Sequence, residues 1–169
     1  MRCIVIKPYL SGFFMPVFNF FHWSQQHGRT LTETGPLVAV EVGIPDALKQ
    51  HLSGKGLPVP APVAGFALVD TGASSTAVDN SVFTALGVAH INEIDTDTPH
   101  GSGRSKIYPA SVTFPGMNVH ELRMEQLIGC QLKWKTKDDK EIIMLLGRDL
   151  LAWFVFIYNG PGSEITLCF

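Results

Sequence analysis

Residues 66–75 join an apolar run to a carboxylate, a hydroxyl and a glycine. The run ends at Val69, and Asp70, Thr71 and Gly72 follow it directly. A carboxylate that an apolar segment carries into a turn is costly to desolvate unless neighbouring groups compensate, and such carboxylates often serve a chemical purpose. Thr71 can tie the turn to a neighbour through its hydroxyl, and Gly72 lets the backbone come close. The sequence therefore predicts a chemically active carboxylate, Asp70, in a buried turn.

A second apolar run ends in a glycine followed by two charged residues. Residues 144–146 are apolar, Gly147, Arg148 and Asp149 follow them, and Leu150 continues into a predicted short helix. Neither motif is specific alone, because short combinations of residues recur by chance. Their occurrence in one chain, each next to an apolar run, is much more specific.

Together the two motifs resemble the active-site loop and the helix-opening element of the retropepsin-like (retroviral-type) aspartic proteases. Their order, and their separation from Gly72 to Gly147, are similar to those in one subunit of that family, and the resemblance extends over residues 36–169. It implies a catalytic Asp70, an active-site loop of Thr71, Gly72 and Ala73, and a structural loop of Gly147, Arg148 and Asp149.

The chain departs from the retroviral members of that family at two places. In those members the arginine of the second motif pairs with an acid four residues after the catalytic aspartate, but Ser74 stands at that position here. We therefore expect the pairing of Arg148 to be lost or rerouted. A capped helix predicted over residues 79–86, and a strand pair after Trp153, are closer to the cellular and bacterial members.

The resemblance implies an aspartic endopeptidase that hydrolyses peptide bonds with a water molecule. In that chemistry two carboxylates share one proton, because two such groups in contact cannot both ionise. The chain carries a single Asp-Thr-Gly, so we expect a homodimer in which each subunit supplies one Asp70 across a two-fold axis. Peptides or proteins are the expected substrates, with no cofactor. The alternative on the same fold is a catalytically silent dimeric peptide-binding module.

A glycine-rich segment lies between the two motifs. Gly101, Ser102 and Gly103 precede a predicted strand over residues 105–114, at the place where the family carries its flap, a hairpin that folds over the substrate. Glycines permit both the turn and an opening motion, and a peptide under the flap is expected to bind as an extended strand. An ordinary glycine turn is the alternative.

Composition argues against nucleic-acid binding, a metal site and a disulfide framework. The chain has a net charge of −2 with 17% charged residues, so it does not favour nucleic-acid binding. None of the six histidines has the spacing of a metal site, and no metal is expected. Three cysteines cannot all form disulfides with one another, and a reduced, cytoplasmic chain is the simplest interpretation.

Short segments separated by glycine- and proline-rich turns predict a mostly β domain over residues 35–169. Two short helices are expected, at residues 45–52 and 79–86, where helix-start and helix-stop residues flank apolar positions. The expected architecture is a closed, barrel-like, retropepsin-like protomer with a flap hairpin. An unrelated β-rich interaction domain that carries chance motifs is the alternative.

The two ends of the chain differ from its middle. The resemblance implies that the apolar strand at residues 164–169 interleaves with its copy at the dimer interface; an internal strand is the alternative. Residues 1–34 are expected to form an arm with little stable structure of its own. Its apolar stretch is interrupted by Lys7, Pro8 and Pro16 and lacks a cleavage site, so we expect no membrane attachment, with an N-terminal anchor as the alternative. A start at Met15 is a further alternative.

Overall fold

The computed structural model describes residues 17–21, 31–98, 101–117, 119–132, 134–136, 139 and 141–168. These residues form four helices, α1 (Leu31–Thr34), α2 (Asp46–Gly54), α3 (Asn80–Leu86) and α4 (Arg148–Leu151). They also form eleven strands, β1 (Val17–Phe21), β2 (Leu37–Gly43), β3 (Val63–Val69), β4 (Ala77–Asp79), β5 (Asn92–Thr98), β6 (Gly101–Thr113), β7 (Leu122–Cys130), β8 (Trp134–Lys135), β9 (Glu141–Leu146), β10 (Val155–Asn159) and β11 (Glu164–Cys168).

Six of the strands close into a barrel in the order β2-β3-β9-β4-β7-β6, because β6 also pairs with β2. This confirms the predicted mostly β, barrel-like domain. The helices predicted at residues 45–52 and 79–86 are present as α2 and α3, the short helix predicted at Leu150 is present as α4, and α1 is an additional short helix. The pairing of β3 with β9 is parallel, as is that of β4 with β7. Parallel neighbours end at the same edge of the barrel, and this fact positions the candidate site.

The core follows from the alternation of apolar residues along the strands and from one helix. Phe83 of α3 stacks on Tyr108 of β6 with ring centroids 3.9 Å apart. Alternate residues of β2 point into the barrel, as their β-branched pattern predicts. They are at most 1% exposed: Val38, Val40 and Val42.

Helix α3 begins and ends where its local sequence predicts. The side chain of Asp79 accepts a hydrogen bond from the backbone N–H of Ser81 and caps the first turn. Gly87 takes a left-handed conformation with φ of +66° and ends the helix. A second oxygen of Asp79 accepts the backbone N–H of Leu132 at 2.6 Å, so the same residue ties α3 to the segment after β7.

Strands β5 and β6 form a long hairpin that includes the predicted flap residues. Thr98 pairs with Gly101 at the distal end and Asn92 with Ile107 at the base. In the described part of the chain, β6 begins its pairing with β7 only at Ile107, so the hairpin continues beyond the barrel as a two-stranded ribbon. The sequence did not predict a strand for the acidic residues that form β5, although it predicted the partner strand β6 from residue 105 onward.

A separate three-stranded antiparallel sheet has the order β1-β11-β10. β11 is its central strand and pairs with β1 on one side and β10 on the other. In the single chain β11 is therefore an internal strand of its own sheet, which is the alternative given above, and interleaving with a second copy stays a prediction. Within the arm expected over residues 1–34, residues 17–21 form β1 beside β11 and residues 31–34 form α1. No helix among the described residues is long and apolar enough to span a membrane.

Candidate active site

The two sequence motifs meet because they follow neighbouring parallel strands. β3 leads into Asp70 and β9 leads into Gly147, and the two strands pair up to Val69 and Leu146. The pairing continues one residue further, since the backbone N–H of Asp70 donates to the carbonyl of Leu146 at 3.0 Å. Motifs that are far apart in the chain therefore form adjacent loops at one edge of the barrel.

The carboxylate of Asp70 is fixed by the backbone of its own loop. Its Oδ1 atom accepts hydrogen bonds from the N–H of Gly72 at 2.9 Å and of Ala73 at 3.2 Å. A Cβ atom at Gly72 would lie 3.1 Å from that oxygen, which is tight contact, so glycine suits the position. The Oδ2 atom has no hydrogen-bond partner among the described residues and remains available to a substrate or a water molecule.

Asp70 is less buried than the sequence predicts. It is half-buried in the single chain, and Thr71 and Gly72 are exposed. The prediction of a buried turn is therefore wrong for one isolated chain. Ala67 and Val69 of β3 are buried in the core, but the turn itself emerges at the barrel edge, where a carboxylate keeps contact with solvent and its desolvation cost is small.

Arg148 holds the active-site loop through backbone carbonyls. Its Nη1 atom donates to the carbonyl oxygens of Thr71 at 3.0 Å and Gly72 at 3.2 Å. Its backbone N–H donates to the carbonyl of Ala73 at 3.0 Å. Ser74 offers no carboxylate to Arg148, unlike the acid at this position in the retroviral proteases. The guanidinium binds the backbone carbonyls of the loop instead.

A buried link between Thr76 and Asp149 joins the two loops. Thr76 is fully buried, and its hydroxyl donates to Oδ1 of Asp149 at 2.6 Å while its backbone N–H donates to Oδ2 at 2.9 Å. The same hydroxyl accepts the N–H of Gly147 at 3.1 Å. The N–H of Leu150 donates to Oδ1 as well, at 2.8 Å. Hydrogen bonds to an ionised acceptor are among the stronger ones in proteins.

Sequence reasoning missed Thr76, and no local signal separates it from the neighbouring residues Ser74 and Ser75. Its role depends on the packing of a glycine from the other loop. A Cβ atom at Gly147 would lie 2.5–2.7 Å from backbone atoms of Ser75 and Thr76. Glycine is therefore required there for close approach of the two backbones rather than for an unusual φ angle.

The predicted flap residues lie at the distal end of the β5–β6 hairpin. Gly101 has a φ angle of +125°, a backbone conformation that residues other than glycine rarely adopt. Nearby, the hydroxyl of Thr96 donates to the carbonyl of Gly103 at 3.1 Å and lies 2.8 Å from the hydroxyl of Ser105. Ser102 pairs with Asp97 in the ribbon, and the adjoining turn residues 99 and 100 lie outside the described residues.

The cysteines of the described chain offer no nucleophile. Cys130 donates its thiol proton to the carbonyl of Val78 at 3.6 Å. Burial, and secondly the charge of Asp79, raise the pKa of the Cys130 thiol to about 12, so its reactive thiolate is scarce near neutral pH. Cys168 is buried on β11. The described residues also contain no group of three or more histidine, cysteine, aspartate or glutamate side chains that could hold a metal ion.

The comparisons with known proteins find likeness to solved structures alone. No protein-family model and no curated protein matches the chain. Among solved structures, the chain is similar to a retropepsin-like aspartic protease from Rickettsia conorii, with 15% sequence identity and a TM-score of 0.44. The match covers 95% of this chain and 98% of that chain. A likeness at this identity and TM-score assigns no role to any residue of this chain. The role proposed for Asp70 therefore rests on the contacts of its loop.

The link between the loops predicts a large effect for Thr76→Val. The substitution keeps the shape of the side chain but removes the hydroxyl, which leaves the N–H of Gly147 and one oxygen of Asp149 without that partner. We expect the free energy of unfolding to fall by about 2 kcal/mol, measured by urea denaturation at fixed protein concentration. The matched control is Thr84→Val on an exposed face of α3, with an expected change below about 0.5 kcal/mol. Equal effects at both positions would contradict the special role of Thr76.

The close approach of the loops predicts that Gly147→Ala destabilises the protein. The added methyl group meets backbone rather than the end of a flexible side chain, so we expect a loss of about 1–3 kcal/mol. Gly54→Ala is the control, because a Cβ atom there has no neighbour within 4 Å and alanine at the end of a helix is neutral or stabilising. Thermal unfolding of the two variants measures the difference, and a Gly147→Ala protein as stable as wild type would rule out the tight contact.

Proposed function

We propose that the chain is one protomer of a homodimeric aspartic endopeptidase. The proposal rests on the hydrogen bonds of the Asp70 carboxylate. Two backbone N–H groups fix its Oδ1 atom, and its Oδ2 atom has no hydrogen-bond partner among the described residues. The rigid link to the second loop holds this carboxylate in one orientation. Fixed, partly exposed carboxylates of this kind suit acid–base work on a bound substrate.

The proposed reaction needs two carboxylates around one water molecule. The ionised carboxylate takes a proton from the water, whose oxygen adds to the carbonyl carbon of the scissile peptide bond. The protonated carboxyl group gives its proton to the carbonyl oxygen. When the tetrahedral intermediate collapses, the C–N bond breaks and the leaving nitrogen takes up the proton that came from the water. One hydroxyl of the intermediate returns its proton to the second carboxylate, which leaves a carboxylic acid and restores the starting pair. Because the two groups share one proton throughout, they must lie in contact.

A single chain supports only half of this arrangement. The sequence has one Asp-Thr-Gly, and Asp149 is an unsuitable second acid because its carboxylate already accepts three hydrogen bonds, two of which join the loops. A second copy across a two-fold axis supplies the second Asp70. The exposure of Thr71 and Gly72 in the single chain supports this proposal, since these are the residues that would face the copy.

The β5–β6 hairpin is the proposed flap. As a ribbon beyond the barrel it has few packing partners, and such elements move more readily than core strands. Closure of the hairpin over the Asp70 loop would exclude water and hold a peptide in an extended conformation. The side chains of such a peptide alternate between its two faces. Extended segments of proteins or peptides are therefore the proposed substrates.

The first test is cleavage of a peptide library by wild type and by Asp70→Asn. Asparagine keeps the size of the side chain but cannot exchange the proton, so we expect a loss of activity of at least about 1,000-fold with little change in stability. Asp139→Asn is the control and should keep full activity, because the Asp139 side chain is exposed and lies 3.0 Å from Nζ of Lys135. Equal activity of wild type and Asp70→Asn would refute the enzyme proposal.

A second test examines whether both subunits contribute to one site. When wild type and Asp70→Asn are refolded together in equal amounts, random pairing leaves about a quarter of all dimers with two intact carboxylates. We therefore expect activity per wild-type chain to fall to about half, and further when the variant is in excess. Activity that stays proportional to the wild-type chain would show that one subunit suffices. Peptide binding without cleavage would favour the silent binding module instead.

A further inference from the structure

The guanidinium group of Arg148 uses only part of its hydrogen-bonding capacity within its own chain. Its Nη1 atom donates to the carbonyl oxygens of Thr71 and Gly72. Its Nε and Nη2 atoms have no hydrogen-bond partner among the described residues, and the side chain is exposed. Because arginine carries its N–H donors in a rigid, planar fork, one edge of this fork is available to a further acceptor.

The positive charge of Arg148 also lacks a counter-charge in the described part of the chain, where the ion pairs involve other basic residues. Its neighbour Asp149 is committed to the other loop, because both of its carboxylate oxygens accept hydrogen bonds from Thr76. Ser74, whose carbonyl accepts the N–H of Asp149 at 3.3 Å, has a hydroxyl group and no charge. The molecule thus presents an unneutralised cation beside the candidate catalytic loop.

Gly72 connects this cation to the carboxylate of Asp70. The N–H of Gly72 binds Oδ1 of Asp70 at 2.9 Å, and the carbonyl of the same residue binds Nη1 of Arg148 at 3.2 Å. Because two backbone carbonyls already hold the guanidinium, it loses little side-chain entropy when it binds a ligand. An extended peptide rises about 3.3 Å per residue, so a group that Arg148 binds on a peptide lies within about three residues of the bond at Asp70.

The basic residues of the proposed flap differ from Arg148 in this respect. Arg104 and Lys106 on β6 stand opposite Asp95 and Glu93 on β5. The guanidinium of Arg104 lies 3.7 Å from the carboxylates of both acids. The hairpin therefore offsets its own positive charges, and Arg148 is the cation near Asp70 that is left to attract a negative group.

We propose that Arg148 binds a carboxylate of the substrate, so that the protein prefers peptides with a carboxylate close to the cleaved bond. The N–H groups of Nε and Nη2 donate two parallel hydrogen bonds to the two carboxylate oxygens, the geometry in which arginine binds this group most strongly. An acidic side chain and a free C-terminus both supply such a carboxylate. This inference rests on the proposed function, because it takes the ligand at Asp70 to be a peptide.

The test compares peptide libraries that differ only in charge. Paired libraries carry Glu or Gln at one fixed position, which is moved through about three residues on each side of a central bond. We expect wild type to cleave the Glu library about three- to tenfold faster than the Gln library at one position or more, because the bidentate pair forms only with Glu. Peptides that end in a carboxylate, compared with their amides, distinguish a C-terminus from a side chain. Ratios near one in both comparisons would overturn the inference.

Arg148→Gln should bring the ratio of the two cleavage rates to about one. The variant also loosens the loop and lowers both rates, but the ratio reports the carboxylate contact alone. Arg123→Gln is the matched control, because Arg123 is an exposed arginine on β7 that lies 2.6 Å from Asp46. It stands at the end of the barrel where β3 begins, opposite the end that carries Asp70. A wild-type ratio in Arg148→Gln, or a lost preference in Arg123→Gln, would contradict the assignment.

A pair of variants at Ser74 guards against an Arg148→Gln protein that fails to fold. The backbone of Ser74 lies beside the Arg148 loop and its side chain is exposed, so Ser74→Asp adds an internal carboxylate near the guanidinium. This carboxylate competes with that of the substrate, and we expect the Glu-to-Gln ratio to fall toward one. Ser74→Asn has the same shape without the charge and should keep the wild-type ratio. Equal ratios in the two variants would refute the role of Arg148.

Peptide binding to Asp70→Asn separates this inference from the proposed function, because binding needs no cleavage. Fluorescence anisotropy of labelled libraries should show tighter binding of Glu than of Gln peptides, and Ser74→Asp in the same background should remove the difference. If this pattern is found while wild type cleaves no peptide, the carboxylate site stands and the enzyme falls. If wild type cleaves Glu and Gln peptides equally through Asp70, the enzyme stands and the role of Arg148 is wrong. Equal binding without cleavage would overturn both.

Discussion

The candidate site depends on the buried hydrogen bonds between Thr76 and Asp149. Parallel pairing of β3 and β9 brings two loops to one barrel edge, but pairing alone does not fix how the loops lie against each other. The carboxylate of Asp149 does so by accepting both the hydroxyl and the backbone N–H of Thr76. The hydroxyl in turn accepts the N–H of Gly147, which can come this close because it has no side chain. Each polar group in this buried contact is thereby satisfied.

This link has a consequence for the chemistry of Asp70. Arg148, on the same loop as Asp149, holds the carbonyls of the turn, and the turn's own N–H groups hold the carboxylate. The carboxylate is thus held in one orientation within the single chain, as the proposed acid–base role requires.

Much of the fold was accessible from local patterns. The apolar run that ends at Val69 forms β3, and the helix predicted at residues 79–86 has the capping aspartate and the terminal glycine that its residues indicate. β5 was missed because its residues are polar and acidic, yet it forms a strand by pairing with β6, where Arg104 lies 3.7 Å from both Glu93 and Asp95. Cross-strand partners of this kind are invisible in a local window.

The sequence by itself determined which chemical groups each loop offers, because a carboxylate, a hydroxyl or a glycine keeps its properties wherever the chain takes it. It also determined most strand positions, since alternation of apolar residues is a local property. Only the tertiary structure decided that Thr76 joins the loops, that Arg148 binds backbone carbonyls and that β11 lies between β1 and β10. These features arise from pairing between segments far apart in the chain, and the register of such pairing is set by the packing of the whole barrel.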